Sequence, residues 1–272
     1  MKQVPTIGVF DSGVGGLTVL RALRARIPQA QYVYVGDTAR LPYGSKSQAT
    51  VARFAVESAR FLVAQGAEYL VIACNTASAL ALAEIRAAVA VPVLGVIETG
   101  ANAAQAESTR GEVAVLATVA TVASHAYAEA CAARGVRAIE KACPLLVPLV
   151  EEGWVDHDVT RSVLRIYLAE LADAAAAANL QPDALVLGCT HYPLLGAQLE
   201  KMVSAGTRVI DSAEVTAEQA AAELGVAMPN GVDAPRPAPR FYATDGLERF
   251  RALGSRFLGE IITAVEIVDF GG

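Results

Sequence analysis

Short apolar runs alternate along the chain with longer stretches of helical period. Residues 6–10, 32–35, 69–73 and 92–97 are predominantly apolar runs without a charged residue and predict strands. Residues 17–26, 47–65 and 77–89 carry apolar positions at three- and four-residue spacing and predict helices. Strands that are apolar on both faces and separated by helices predict a parallel sheet covered on both sides. A second series begins near residue 99. It predicts strands at 112–117, 138–142, 184–187 and 208–210, with helices at 121–134, 160–178 and 194–203. The tail predicts a Pro-rich loop at 229–239, a strand at 241–243, a helix at 246–258 and a last strand at 262–268. The fold class is α/β.

Two strand ends resemble each other. Tyr69-Leu70-Val71-Ile72-Ala73-Cys74-Asn75-Thr76 parallels Ala184-Leu185-Val186-Leu187-Gly188-Cys189-Thr190-His191. Each is an apolar strand, a small residue, a cysteine, then polar residues leading into a helix. Ligands of open α/β sheets bind at the carboxyl ends of the strands. A thiol at that point, at the start of a helix, is expected to have its pKa lowered from about 8.5 toward neutrality. Two thiols facing one stereocentre from opposite sides can racemise it, one taking a proton while the other delivers one. The demand is large. An amino-acid α-proton lies roughly ten pK units above a thiol, a gap on the order of 14 kcal/mol. Acid/base groups supply only about 3–5 kcal/mol of that, so a dry, closed, polar site must supply the rest.

Composition narrows the class. Hydrophobic residues are 54% of the chain and charged residues 18%, the reverse of a disordered chain. The net charge is −6 with no basic tract, so no nucleic-acid partner is expected. No apolar stretch reaches the roughly 20 residues of a membrane span and no secretory signal is visible, so the expectation is a cytoplasmic protein with no membrane partner. The four cysteines, Cys74, Cys131, Cys143 and Cys189, include no C-x-x-C pair. Cys131, inside an expected helix, and Cys143, before Pro144, read as inert core thiols. Three histidines without close partners give no metal set, and none of Lys2, Lys46, Lys141 and Lys201 lies in a phosphate loop suited to pyridoxal phosphate. No cofactor and no metal are expected.

Other candidates cluster around the same strand ends. Asp11-Ser12-Gly13-Val14-Gly15-Gly16 follows the first strand, but it matches neither G-x-G-x-x-G nor a P-loop. It reads as a glycine turn bringing backbone N–H groups, Ser12 and Asp11 to the cleft, or as an ordinary helix cap. Gly36-Asp37-Thr38 and Pro42-Tyr43-Gly44-Ser45 form a second loop at that edge, or a plain surface turn. Asn75, Thr76, Thr190 and His191 put donors beside the two sulfurs. His191 can tune Cys189 or relay a proton. Glu151 and Glu152 can pair with His191, although their spacing alone reads as a solvated helix start.

Four segments together resemble the glutamate racemases of the aspartate/glutamate racemase family. They are Gly8-Val9-Phe10-Asp11-Ser12-Gly13, Gly36-Asp37-Thr38-Ala39-Arg40-Leu41-Pro42-Tyr43-Gly44, Ala73-Cys74-Asn75-Thr76-Ala77-Ser78 and Gly188-Cys189-Thr190-His191-Tyr192-Pro193. The resemblance runs over nearly the whole chain. It implies interconversion of L- and D-glutamate, supplying D-glutamate for bacterial peptidoglycan synthesis, cell-wall biogenesis and cell shape. It implies Cys74 and Cys189 as the catalytic pair, Cys74 being the one that acts on the D-enantiomer. It implies substrate contacts from Asp11, Ser12, Tyr43, Gly44, Asn75, Thr76, Thr190 and His191, further carboxylate contacts from Thr118 and Thr121, and Glu151 as support for the histidine. It also implies a homodimer and two pseudo-symmetric Rossmann-like domains with the site in the cleft between them. Those domains are expected at 1–97 with 210–272, and at 98–209. Thr99 departs from the proline that family members often carry there, which touches the interdomain hinge. The alternatives are an aspartate racemase or related two-cysteine isomerase, and a non-catalytic amino-acid-binding protein.

Overall fold

A computed structural model of the protein describes residues 4–226 and 237–270. The chain builds two parallel sheets. The first contains β1 (Ile7–Asp11), β2 (Tyr32–Gly36), β3 (Tyr69–Ile72), β4 (Val93–Gly95), β9 (Arg240–Ala243) and β10 (Glu266–Ile267), in the order β10-β9-β2-β1-β3-β4. The second contains β5 (Glu112–Ala117), β6 (Arg137–Ala142), β7 (Ala184–Gly188) and β8 (Arg208–Asp211), in the order β6-β5-β7-β8. Every strand pair is parallel. The α/β reading therefore holds, and the final strands return to the first sheet.

Central strands β1, β2, β3 and β7 are buried along their whole length, which is why they read as predominantly apolar runs. Helices α1 (Leu17–Arg26), α2 (Gln48–Ala64) and α3 (Asn75–Ala88) link the early strands. In the second half come α5 (Val119–Ala123), α6 (Ala126–Ala132), α8 (Asp158–Ala177) and α9 (Gly196–Met202), and α11 (Leu247–Leu258) lies in the tail. Among the described residues no helix is long and apolar enough to cross a membrane.

Several elements differ from the pattern-based expectation. The helix expected at 121–134 is broken into α5 and α6, because His125 adopts a left-handed φ of 55° at the junction. The strand expected at 92–97 stops at Gly95, and α4 (Val96–Glu107) begins at the next residue. Two more helices are absent from the sequence reading. One is α7 (Leu146–Glu151), which carries Pro148; the other is α10 (Ser212–Glu223), whose Ala-rich face packs on α1 and α4. Tertiary contacts override weak local signals at these places. In the last strand only Glu266 and Ile267 pair, and both are exposed. Of the Pro-rich loop at 229–239, residues 229–236 lie outside the described residues.

The amino end of the second sheet is tied by one carboxylate. Asp183 accepts hydrogen bonds from Thr109 Oγ1 (2.6 Å), the Thr109 N–H (2.9 Å), the Arg110 N–H (3.0 Å) and the Ser108 hydroxyl. Partial burial would raise its pKa, but these bonds outweigh that and hold it down at about 2. A carboxylate whose pKa is depressed by folding stabilises the fold above its unfolded pKa, and that contribution is lost as the pH falls through the folded value. Asp183→Asn is therefore expected to cost about 1 kcal/mol at pH 7, reduced by solvent screening at this partly exposed group. The deficit should shrink steadily as the pH falls toward 2 and vanish only below it. Urea denaturation of both proteins from pH 7 to pH 2 checks this; a deficit independent of pH would contradict it.

Candidate functional site

Both cysteines of the repeated strand ends line one cavity. β3 ends at Ile72, and Cys74 caps the start of α3. Its Sγ accepts from the Ala77 N–H at 3.4 Å and lies 3.5 Å from Ser12 Oγ, to which the thiol donates. β7 ends at Gly188, and Cys189 follows directly. Contrary to expectation, Cys189 does not cap an α-helix. A tight 3-10 turn, Tyr192–Leu195, intervenes, and α9 starts only at Gly196. The sulfur of Cys189 lies 3.9 Å from His191 Nδ1.

A cavity of about 610 Å³ joins these residues. Of the candidates named from sequence, Ser12, Tyr43, Gly44, Cys74, Asn75, Thr76, Thr118, Glu151, Cys189, Thr190 and His191 line it. Asp11 and Thr121 stand behind that lining. The Asp11 carboxylate is buried and accepts from the Gly13 N–H at 2.9 Å, bracing the glycine turn that carries Ser12. Thr121 Oγ1 lies 2.9 Å from Thr118 Oγ1 and 3.4 Å from Thr76 Oγ1, while Thr76 and Thr118 are 3.1 Å apart. Three hydroxyls, one from the first half and two from the second, thus gather beside Cys74. A larger surface hollow of about 750 Å³, by Thr109, Asp183 and Arg208, contains no thiol or histidine and none of these residues. Of the two, the smaller cavity is the one that brings thiol and imidazole groups together.

His191 is the electrostatic centre of the Cys189 side. Its Nε2 lies 3.1 Å from Glu151 Oε1, and the other carboxylate oxygen of Glu151 accepts from Arg249 at 3.0 Å. Phe257 packs edge-on against the imidazole, with ring centroids 4.9 Å apart. Burial opposes a charged imidazole here. Hydrogen bonds to Cys189 and Glu151 and the negative charge of those groups outweigh it and push the His191 pKa up to about 10. The same hydrogen bond to His191 holds the Glu151 carboxyl below its usual range. On the other side, burial dominates. It pushes the Cys74 thiol up to about 12, the charge of Asp11 adds to it, and the hydrogen bonds with Ser12 and with the Ala77 N–H only partly offset it. The lowering expected from the helix start is therefore present but outweighed. Burial likewise raises Asp11, against the charge of His191 and the backbone N–H groups of Gly13 and Gly16.

The imidazolium–carboxylate pair carries a pH signature. A histidine whose pKa is raised by folding stabilises the fold fully below about 6.5, and that contribution is lost as the pH rises through about 10. Glu151→Gln removes the carboxylate's share of that support and leaves the share of Cys189. We expect the His191 ring to stay protonated through pH 8 in the native protein and to titrate at lower pH in the variant. Nuclear magnetic resonance titration of the ring-labelled protein reads both. Identical His191 titration in the two proteins would refute the pairing.

Four participants were missed or given no role by the sequence reading. Arg249 lies 98 residues from Glu151 and nothing local marks it. Cys143, read as an inert core thiol, is buried but does line the cavity, because β6 ends at its edge. Tyr127, on α6, donates from its hydroxyl to Asn75 Oδ1 at 2.8 Å. Asp37, noted only as part of a loop, accepts from the Tyr43 hydroxyl and so anchors that ring in the cavity wall.

Comparison with known proteins places this architecture. A family model described as Asp/Glu/Hydantoin racemase matches residues 17–220. A glutamate racemase from Koribacter versatilis (strain Ellin345) is 51% identical over 292 residues, covering 100% of this chain and 99% of the relative. The crystal structure of a glutamate racemase isoform from Bacillus anthracis superposes with a TM-score of 0.87 at 35% identity, covering 98% of each chain. That of the Francisella tularensis glutamate racemase, in complex with D-glutamate, superposes with a TM-score of 0.86 at 34% identity, also over 98% of each chain. By sequence along its whole length and by fold, this chain belongs to the Asp/Glu/hydantoin racemase family, among its glutamate racemases.

Proposed function

We propose that the chain interconverts L- and D-glutamate without a cofactor, by proton transfer between two thiols at the α-carbon. The observation that carries this is the meeting of Cys74 and Cys189, from matching strand ends of two sheets, on one cavity lined by hydroxyl, amide and imidazole groups. Its volume of about 610 Å³ lies in the roughly 300–1,000 Å³ range of small-ligand clefts. The two sheets act as two domains, divided near residues 97 and 210, whose closure on the substrate expels water.

In this reading one sulfur, as thiolate, takes the α-proton from one face while the other, as thiol, gives its proton to the opposite face. Each turnover leaves the two protonation states exchanged. Cys74 works on D-glutamate and Cys189 on L-glutamate. The substrate ammonium, arriving near Asp11 and both sulfurs, adds positive charge that favours thiolate. His191, held by Glu151, serves as relay at Cys189. Asn75, Thr76, Thr118, Thr121 and Thr190, with Ser12, Tyr43 and Gly44, supply or orient donors for the carboxylates. The chain works as a cytoplasmic homodimer, and the D-glutamate it makes supplies peptidoglycan synthesis.

The test is solvent deuterium. Incubated in D2O, each enantiomer should yield the other with deuterium at the α-carbon, followed by circular dichroism and proton resonance. Aspartate, assayed beside glutamate, decides between this reading and an aspartate racemase. Tight binding of glutamate without α-deuterium would leave a binding protein instead.

A further inference from the structure

Tyr127 lies outside the candidate set, yet it touches both thiol-bearing strand ends. Its hydroxyl donates to Oδ1 of Asn75, the residue after Cys74, at 2.8 Å. Its ring lies against Gly188, the residue before Cys189: a Cβ at Gly188 would come within 2.9 Å of Tyr127 Cε2. Gly100 faces the ring similarly, and a Cβ there would stand 3.0 Å from Cε1 and 3.2 Å from the hydroxyl. Two glycines thus clear the space the ring fills, and the side chain is fully buried. Asn75 itself is buried, lines the cavity, and has no partner for its Nδ2.

An amide has one accepting and one donating end. With Oδ1 engaged by Tyr127, the donating end is the one left for a ligand. Were the amide turned over, it would offer a carboxylate substrate an oxygen and repel it. We infer that Tyr127 is a positioning residue that fixes the Asn75 amide with its N–H donors available to a carboxylate of the substrate. This rests on the glutamate reading above. The residue touches no substrate and acts only through Asn75.

Tyr127→Phe removes the hydroxyl and keeps the ring between Gly100 and Gly188. A hydrogen bond to a charged group corresponds to roughly 10–100-fold in affinity. The expectation is a KM and an equilibrium Kd for glutamate raised at least about tenfold, with kcat little changed, because an interaction made equally in ground and transition states is lost. Asn75→Ala should show the same loss, and Tyr127→Phe/Asn75→Ala no more than Asn75→Ala alone. A role in spacing the two thiols would instead depress kcat at constant KM, and that result overturns the inference. So does wild-type affinity in Tyr127→Phe, or a double variant whose losses simply add. Kd by calorimetry separates this from the functional reading. A wild-type chain that binds glutamate but exchanges no α-proton defeats the racemase assignment and leaves the Tyr127 comparison readable.

Discussion

Cys74→Ala and Cys189→Ala are each expected to abolish racemisation in both directions, not in one. Either direction needs a base on one face and an acid on the other, so losing either sulfur removes an indispensable partner. A positioned acid or base contributes about 10²–10⁴-fold, and the two act as one unit. Each single variant should therefore lose at least about 10³-fold in kcat, and the double variant should lose little more. Stability should barely change. Both thiols are 5% exposed at the cavity wall, so truncation widens a space already open rather than leaving a sealed void. Thermal unfolding with circular dichroism assays of both enantiomers distinguishes loss of chemistry from loss of fold. Retention of a tenth of wild-type activity in either direction by either variant would end the two-thiol mechanism.

A methyl group at Gly15 should be nearly as damaging while touching neither sulfur. The turn between β1 and α1 runs against the Cys189 side of the site. A Cβ on Gly15 would lie 2.2 Å from Thr190 Oγ1 and 2.6 Å from the His191 ring. Neither can retreat freely. The Thr190 carbonyl is held by Thr18 Oγ1 at 3.0 Å, and His191 is held by Glu151 on one edge and packed against Phe257. Gly15→Ala is therefore expected to displace His191 from Cys189 and lower kcat/KM by about 10²-fold, the scale of a 1 Å misplacement. Overpacking should also cost about 1–3 kcal/mol of stability. Wild-type kinetics in this variant would show that His191 has no positional role at Cys189.

Much of this was legible from residue order. The unbroken apolar runs at 69–73 and 184–187 marked buried parallel strands, because a strand covered on both faces cannot alternate. The cysteines at their ends were conspicuous because strand, small residue, thiol and polar cluster are contiguous. Glu151 was harder. Its spacing alone favoured a solvated helix start, and only the resemblance assigned it to the histidine, which it meets across 40 residues. Helices α4, α7 and α10 were missed for related reasons. α4 follows β4 with no intervening turn, α7 contains a proline, and α10 is stabilised by packing rather than by pattern.

Order along the chain by itself determined the α/β class, the run of parallel strands and the two strand ends that carry thiols, because those features depend on neighbours a few residues apart. Only the tertiary structure decided how Arg249 meets Glu151, how Tyr127 reaches Asn75, and that burial lifts Cys74 instead of the helix start lowering it. The reason is common to all three. Contact and desolvation come from atoms distant in the chain, and no local spacing records which surfaces will exclude water from one another.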